Sequence, residues 1–175
     1  MEEILDSDEI NEVYEPARVV IKPAYFVMFS VLTFGLYEIW WIYKCWRFFR
    51  EKENLDIAPA ARALFSIFFL KQLCDKIADY CHEKEIDVSF NSTNVLVAYI
   101  LLNLTARLPQ PLWLISLLSV APFINVVKAF NNYFTGNEEG DGQEVLSGRR
   151  IVMLIFGCLF WVLVIASFFV DDNKF

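Results

Sequence analysis

Residues 23–43 read PAYFVMFSVLTFGLYEIWWIY, from Pro23 to Tyr43, with a single charge at Glu38. At a rise of about 1.5 Å per residue, one helix of that length matches a hydrocarbon core of about 30 Å. The segment therefore predicts a transmembrane helix, with Gly35 as the place for a kink. Its far end carries Tyr37, Trp40, Trp41, Tyr43 and Trp46, and then Lys44, Arg47, Arg50 and Lys52. Amphipathic aromatics running into a basic flank mark a helix leaving a bilayer on the cytoplasmic side. Trp40, Trp41, Tyr43, Lys44, Trp46, Arg47 and Arg50 are accordingly expected to be interface anchors.

The composition agrees with an apolar solvent. The chain has 175 residues, of which 57% are hydrophobic and 17% aromatic, with a mean hydropathy of +0.41. Soluble domains average roughly 45–50% apolar residues, and a core of this size does not hide so much apolar surface. The net charge is −7. The acids gather in an N-terminal tail (1–22) and in a Gly-rich acidic loop (135–148). Phosphate neutralisation needs clustered bases, so nucleic acid is excluded as a partner. The acidic first residues also lack the positive start of a secretory signal.

Three further segments are apolar enough to span. With 23–43, the expected spans are about 92–107, 111–127 and 150–170, and residues 171–175 form a short tail. Leu108-Pro109-Gln110-Pro111 separates the middle pair as a tight hairpin, because two prolines do not continue one helix. Residues 59–80 place Phe65, Phe69, Leu73, Ile77 and Tyr80 at helical spacing among Arg62, Gln72, Lys76 and Asp79. That pattern predicts an amphipathic helix in the membrane interface, with a re-entrant or spanning segment as the alternative. The fold class expected is thus an all-α membrane protein of about four transmembrane helices and one interfacial helix.

Orientation follows from Lys and Arg. The loops after the first and third spans hold Lys44, Arg47, Arg50, Lys52, Arg62, Lys71, Lys76, Lys84, Lys128, Arg149 and Arg150. The opposite side holds Arg18, Lys22, Arg107 and Lys174. This asymmetry puts the loops in the cytoplasm and both termini outside, unless 59–80 also spans and turns the N-terminus inward.

Thr33-Phe34-Gly35-Leu36-Tyr37-Glu38-Ile39-Trp40-Trp41-Ile42-Tyr43-Lys44 resembles a motif, T-F-G-[LI]-Y-x-x-[YW]-W-x-Y-K, of small uncharacterised bacterial inner-membrane proteins. Those proteins continue with Pro-x-x-R-A-x-F, to which Pro59, Arg62, Ala63 and Phe65 are similar. The resemblance covers most of the chain and implies a multi-pass protein of the bacterial cytoplasmic membrane. It implies no activity.

Glu38 is the foremost candidate functional residue, since an ionisable group in a span is costly and marks a proton or cation site. The plainer reading pairs Glu38 with Lys44 or Arg47 at the interface. Asn125, Lys128, Asn131 and Asn132 share one helical face, and Asn103 and Arg107 share another. Such faces line a polar path or, more commonly, hydrogen-bond neighbouring helices. Trp46-Arg47-Phe48-Phe49-Arg50 reads as a lipid head-group anchor rather than a base-stacking platform. The sequons at Asn91 and Asn103 fall in the cytoplasm and within a span, and are discounted.

Cys45, Cys74, Cys81 and Cys158 lack C-x-x-C spacing, and Cys81-His82 alone does not supply zinc's ligands, so no metal or other cofactor is expected. Hydrolase and phosphate-loop motifs are missing, so the chain is expected not to be an enzyme. The expected role is that of an accessory or scaffold component contacting lipid bilayer, a protein partner or further copies of itself. A homo-oligomeric solute or ion pathway using Glu38 and the Asn125/Lys128/Asn131 face is the alternative.

Overall fold

The computed structural model describes residues 19–135 and 148–171. The acidic tail up to residue 18, the acid-rich loop 136–147 and residues 172–175 lie outside them. Every regular element described is helical. The order is α1 (Pro23–Leu32), α2 (Leu36–Glu53), α3 (Pro59–Leu64), α4 (Ser66–Glu83), α5 (Ser92–Leu104), two 3-10 stretches (Thr105–Arg107 and Leu112–Val120), α6 (Phe123–Thr135) and α7 (Gly148–Asp171). Among the described residues, the run Leu112–Thr135 is long and apolar enough to cross a membrane.

The single helix expected over 23–43 does not form. The chain reverses at Thr33-Phe34-Gly35, and α1 and α2 pack antiparallel, with Phe26 against Trp41 and Phe29 stacked on Tyr37. The cause is local. Phe34 and Gly35 have φ of 52° and 83°, the left-handed region where glycine carries no steric penalty. The Gly35 N–H returns to Ser30 O at 2.9 Å, closing the end of α1. The Thr33 hydroxyl then serves both helices: it donates to Phe29 O at 2.7 Å and accepts the Tyr37 N–H at 3.0 Å. One short polar side chain thus satisfies an orphan carbonyl and an orphan amide where two helix ends meet.

The amphipathic helix expected over 59–80 is also broken, at Phe65. Arg62, in α3, lies 5.2 Å from the Phe69 ring and donates to Gln72 at 3.1 Å, so α3 folds back on α4. Leu73 and Ile77 are buried as the periodicity requires, but Phe65 is 59% exposed. A third hairpin joins α5 to the run 112–135 through the prolines, with Tyr99 edge-on to Phe123.

The three turns point the same way. Phe34, in the first, stacks on Trp113 just past the third, at 6.1 Å between centroids. The Tyr99 hydroxyl meets Ser66 beside the second turn. This end is apolar and open: Leu36, Leu64 and Phe68 are 68%, 71% and 76% exposed. A cluster of paired charges lies at the opposite end. There Lys76 grips both Glu53 oxygens at 2.6 and 2.7 Å, Tyr80 donates to Glu53 at 2.9 Å, and Lys84 donates to Tyr133 O at 3.0 Å. Lys52 donates to the Tyr133 hydroxyl and lies over the Phe48, Tyr80 and Tyr133 rings.

Residues 19–22, just before α1, also lie toward this charged end. Val19 O accepts from Trp41 Nε1 at 3.3 Å, and Ile21 exchanges backbone hydrogen bonds with the Asn131 side chain at 2.8 and 3.3 Å. The expectation that a helix carries residues 22 and 44 to opposite sides is therefore corrected. Finally, α7 touches the bundle through one face, where Gly157 meets the backbone of Leu32 and Trp161 Nε1 donates to Val31 O at 3.3 Å.

The charged end titrates in acid. Partial burial pushes the Glu53 carboxyl up, but hydrogen bonds from Lys76 and Tyr80 and the Lys76 charge outweigh it and hold it below the ordinary glutamate value. A folded value below the unfolded one stabilises the fold above the unfolded value, about 4.3, and the gain is lost as pH falls through the folded one. Glu53→Gln is expected to cost about 1–2 kcal/mol at pH 7, and the difference from the parent should shrink as pH falls through the folded value. Paired thermal unfolding curves from pH 3 to 7 check this. A difference that persists unchanged in acid would refute the ion-pair account.

Candidate functional site

Glu38 is 2% exposed and occupies the first turn of α2. The reversal at Gly35 puts it there, since Gly35 is the N-cap of α2. Helix amides and the helix dipole favour a negative group at that position. The carboxyl accepts one hydrogen bond, from Ser119 Oγ at 3.4 Å, which lies on the 3-10 stretch of the third hairpin. The pairing expected with Lys44 or Arg47 does not occur. Lys44 lies 4.0 Å over the Trp40 ring and Arg47 bonds Glu51 at 2.7 Å, roughly one and a half and two and a half turns further down α2.

Beside Glu38 is a cavity of about 250 Å³, between the first and third hairpins. Its polar lining is Ser30, Glu38, Tyr99, Asn103, Ser116 and Ser119. Phe34, Trp113 and Tyr99 supply aromatic walls. Ser30 is 1% exposed, and its hydroxyl has no hydrogen-bond partner. Asn103 sits at the exposed rim and donates Nδ2 to Tyr99 O at 2.9 Å. A half-satisfied carboxyl, an unsatisfied hydroxyl and open volume together describe a place that can accept hydrogen bonds from something else.

The other expected site residues are elsewhere. Arg107 is exposed at the third turn and does not line the cavity. Asn125 and Lys128 are exposed on α6, while Asn131 is committed to the backbone of Ile21. Glu38 and the Asn125/Lys128/Asn131 face are thus not brought together. Asn131 acts as the helix glue that such a residue more commonly provides.

The anchors divide in the same way. Trp41 and Trp46 are 1% and 0% exposed and belong to the core, correcting their expected place at an interface. Trp40, Tyr43, Lys44 and Arg47 are half-buried, and Arg50 is exposed. The Arg62 guanidinium covers the Trp46 ring at 4.4 Å. Ser30 and Ser119 were not foreseen as site residues. Small hydroxyls within apolar runs are frequent, and the spacing between Glu38 and Ser119 carries no periodic signal.

No protein-family model, curated protein or solved structure matches the chain. Among the described residues, no group of three or more His, Cys, Asp or Glu could hold a metal ion.

Proposed function

We propose that this chain is a multi-pass membrane protein, resident in a bacterial cytoplasmic membrane, that acts by contact and not by catalysis, as an accessory or scaffold component. One observation supports the reading above the others. Three helical hairpins turn at a shared, largely apolar end that carries the exposed Arg107, and the paired cluster of Lys52, Glu53, Lys76 and Lys84 lies at the other. Exposed Leu and Phe side chains on that scale belong against lipid or a partner. In this reading the hairpins enter from one face, so that residues 19–22, the C-terminal half of α2, the α2–α3 and α4–α5 connections and the end of α6 share a side, and α7, with 24 residues, crosses fully. Lys22, Lys44 and Lys84 then fall together, and the positive-inside rule assigns that side to the cytoplasm.

The charged head, with its Lys52, Glu53, Lys76 and Lys84 around Tyr80 and Tyr133, is a surface that a soluble partner can read. The separation of Glu38 from the Asn125/Lys128/Asn131 face removes the main support for a conduit. Reconstitution of the pure chain into liposomes tests the role. Solute and ion flux at the level of protein-free vesicles is expected, with a partner retained at fixed stoichiometry when the chain is extracted in native lipid discs. Flux that Glu38→Gln abolishes in a stably folded protein would overturn it.

A further inference from the structure

We propose that the cavity beside Glu38 is a binding site for a small organic ammonium ion. The inference goes beyond the contact role and does not depend on it.

Four features select that ligand. The first is charge: Glu38 is buried at a helix N-terminus, and none of the ion pairs among the described residues includes it. A cationic donor there makes charge-assisted hydrogen bonds, roughly twice as strong as neutral ones. The second is the set of acceptors. An R–NH3+ group offers three donors, and the wall offers Glu38, the unpartnered Ser30 hydroxyl and the Asn103 amide oxygen.

The third is the aromatic wall. Phe34, Tyr99 and Trp113 line the same cavity, and ring faces favour organic cations by cation–π attraction. The fourth is size. A cavity of about 250 Å³ is larger than one ion needs and close to the lower bound of roughly 300 Å³ for small-molecule pockets. An ammonium carrying a short alkyl chain fills it, with the polar head at Glu38 and the chain against the rings.

The same chemistry is offered by a free amine and by the ethanolamine head group of a phospholipid, and the experiment separates them. The full chain is placed in phosphatidylcholine discs and titrated calorimetrically with propylammonium chloride, with 1-butanol as the neutral control. Saturable binding of the ammonium, absence of saturable binding by the alcohol, and a loss of at least about tenfold in Glu38→Gln are expected. Ala106→Leu, which fills the cavity from its rim without touching Glu38, should weaken binding as well and carries the test if the Gln variant fails to fold. Discs containing phosphatidylethanolamine that suppress propylammonium binding would identify the lipid head group as the source. Unchanged binding in those discs would identify a free amine. Equal affinity in the parent and a folded Glu38→Gln protein, equal affinity for the alcohol, or no saturable binding would overturn the proposal.

Discussion

Trp41→Ala is expected to lower the folding stability by about 3–5 kcal/mol, the range for removing a large buried aromatic side chain. Trp41 is 1% exposed. Its ring meets Phe26, Phe123 and Phe130 edge-on, at 5.5, 6.4 and 6.4 Å between centroids. These contacts tie α2 to α1 and to α6 at once, and the indole N–H is the donor that fixes Val19. Truncation therefore removes packing from three elements and strands the Val19 carbonyl. Trp40 is the internal control: it is the neighbouring residue, half-buried, with its ring under Lys44. Trp40→Ala should cost roughly 1 kcal/mol. Denaturant titrations of both variants in the same detergent check the contrast. Equal losses would mean that both side chains serve as interface anchors.

Gly157→Leu is expected to unseat α7. A Cβ at Gly157 would lie 2.8 Å from Leu32 O and 3.1 Å from Leu32 Cβ, and the obstruction is backbone that has no rotamer to change. Overpacking of this kind costs about 1–3 kcal/mol or more. With the helix displaced, Phe34 loses its stacking on Trp161 and its edge contact with Phe160, at 5.0 and 4.9 Å. The turn that holds Gly35 is then braced on one side fewer. Stability should fall in the order Gly, Ala, Leu at this position, measured by thermal unfolding. A leucine variant as stable as the parent would show that α7 is not seated on Leu32.

The helical class and the apolar character were legible because both depend on composition and on runs of residues. The all-helical architecture follows from segments such as 92–107 and 150–170, where no strand alternation competes. The reversal at Thr33-Phe34-Gly35 was harder to read. Hydropathy is blind to it, since residues 23–43 remain apolar whether the chain goes straight on or folds back. The information lies in one glycine and one threonine, through a left-handed φ and a hydroxyl shared by two helix ends.

The break at Phe65 has no such marker, because its neighbours Leu64 and Ser66 are ordinary helix residues. Trp41 and Trp46 were misplaced for a related reason. Aromatic belts and aromatic cores share a composition, and only the fold-back decides which tryptophans face inward. Within the site, Glu38 stood out as a lone charge, whereas Ser119 and the cavity between the hairpins arise from contacts across 81 residues of sequence.

The account rests on the chain entering and leaving through one face. Single cysteines at Lys22→Cys and Arg50→Cys test this directly, with a membrane-impermeant maleimide applied to each side of sealed vesicles in turn. Cys45, Cys74 and Cys81 are buried and should stay silent, as should Cys158, which the proposed reading puts on the membrane-crossing α7. Labelling of both introduced cysteines from the same side is the result predicted by the antiparallel pair α1 and α2. Labelling from opposite sides would restore a single span between them and contradict the fold-back.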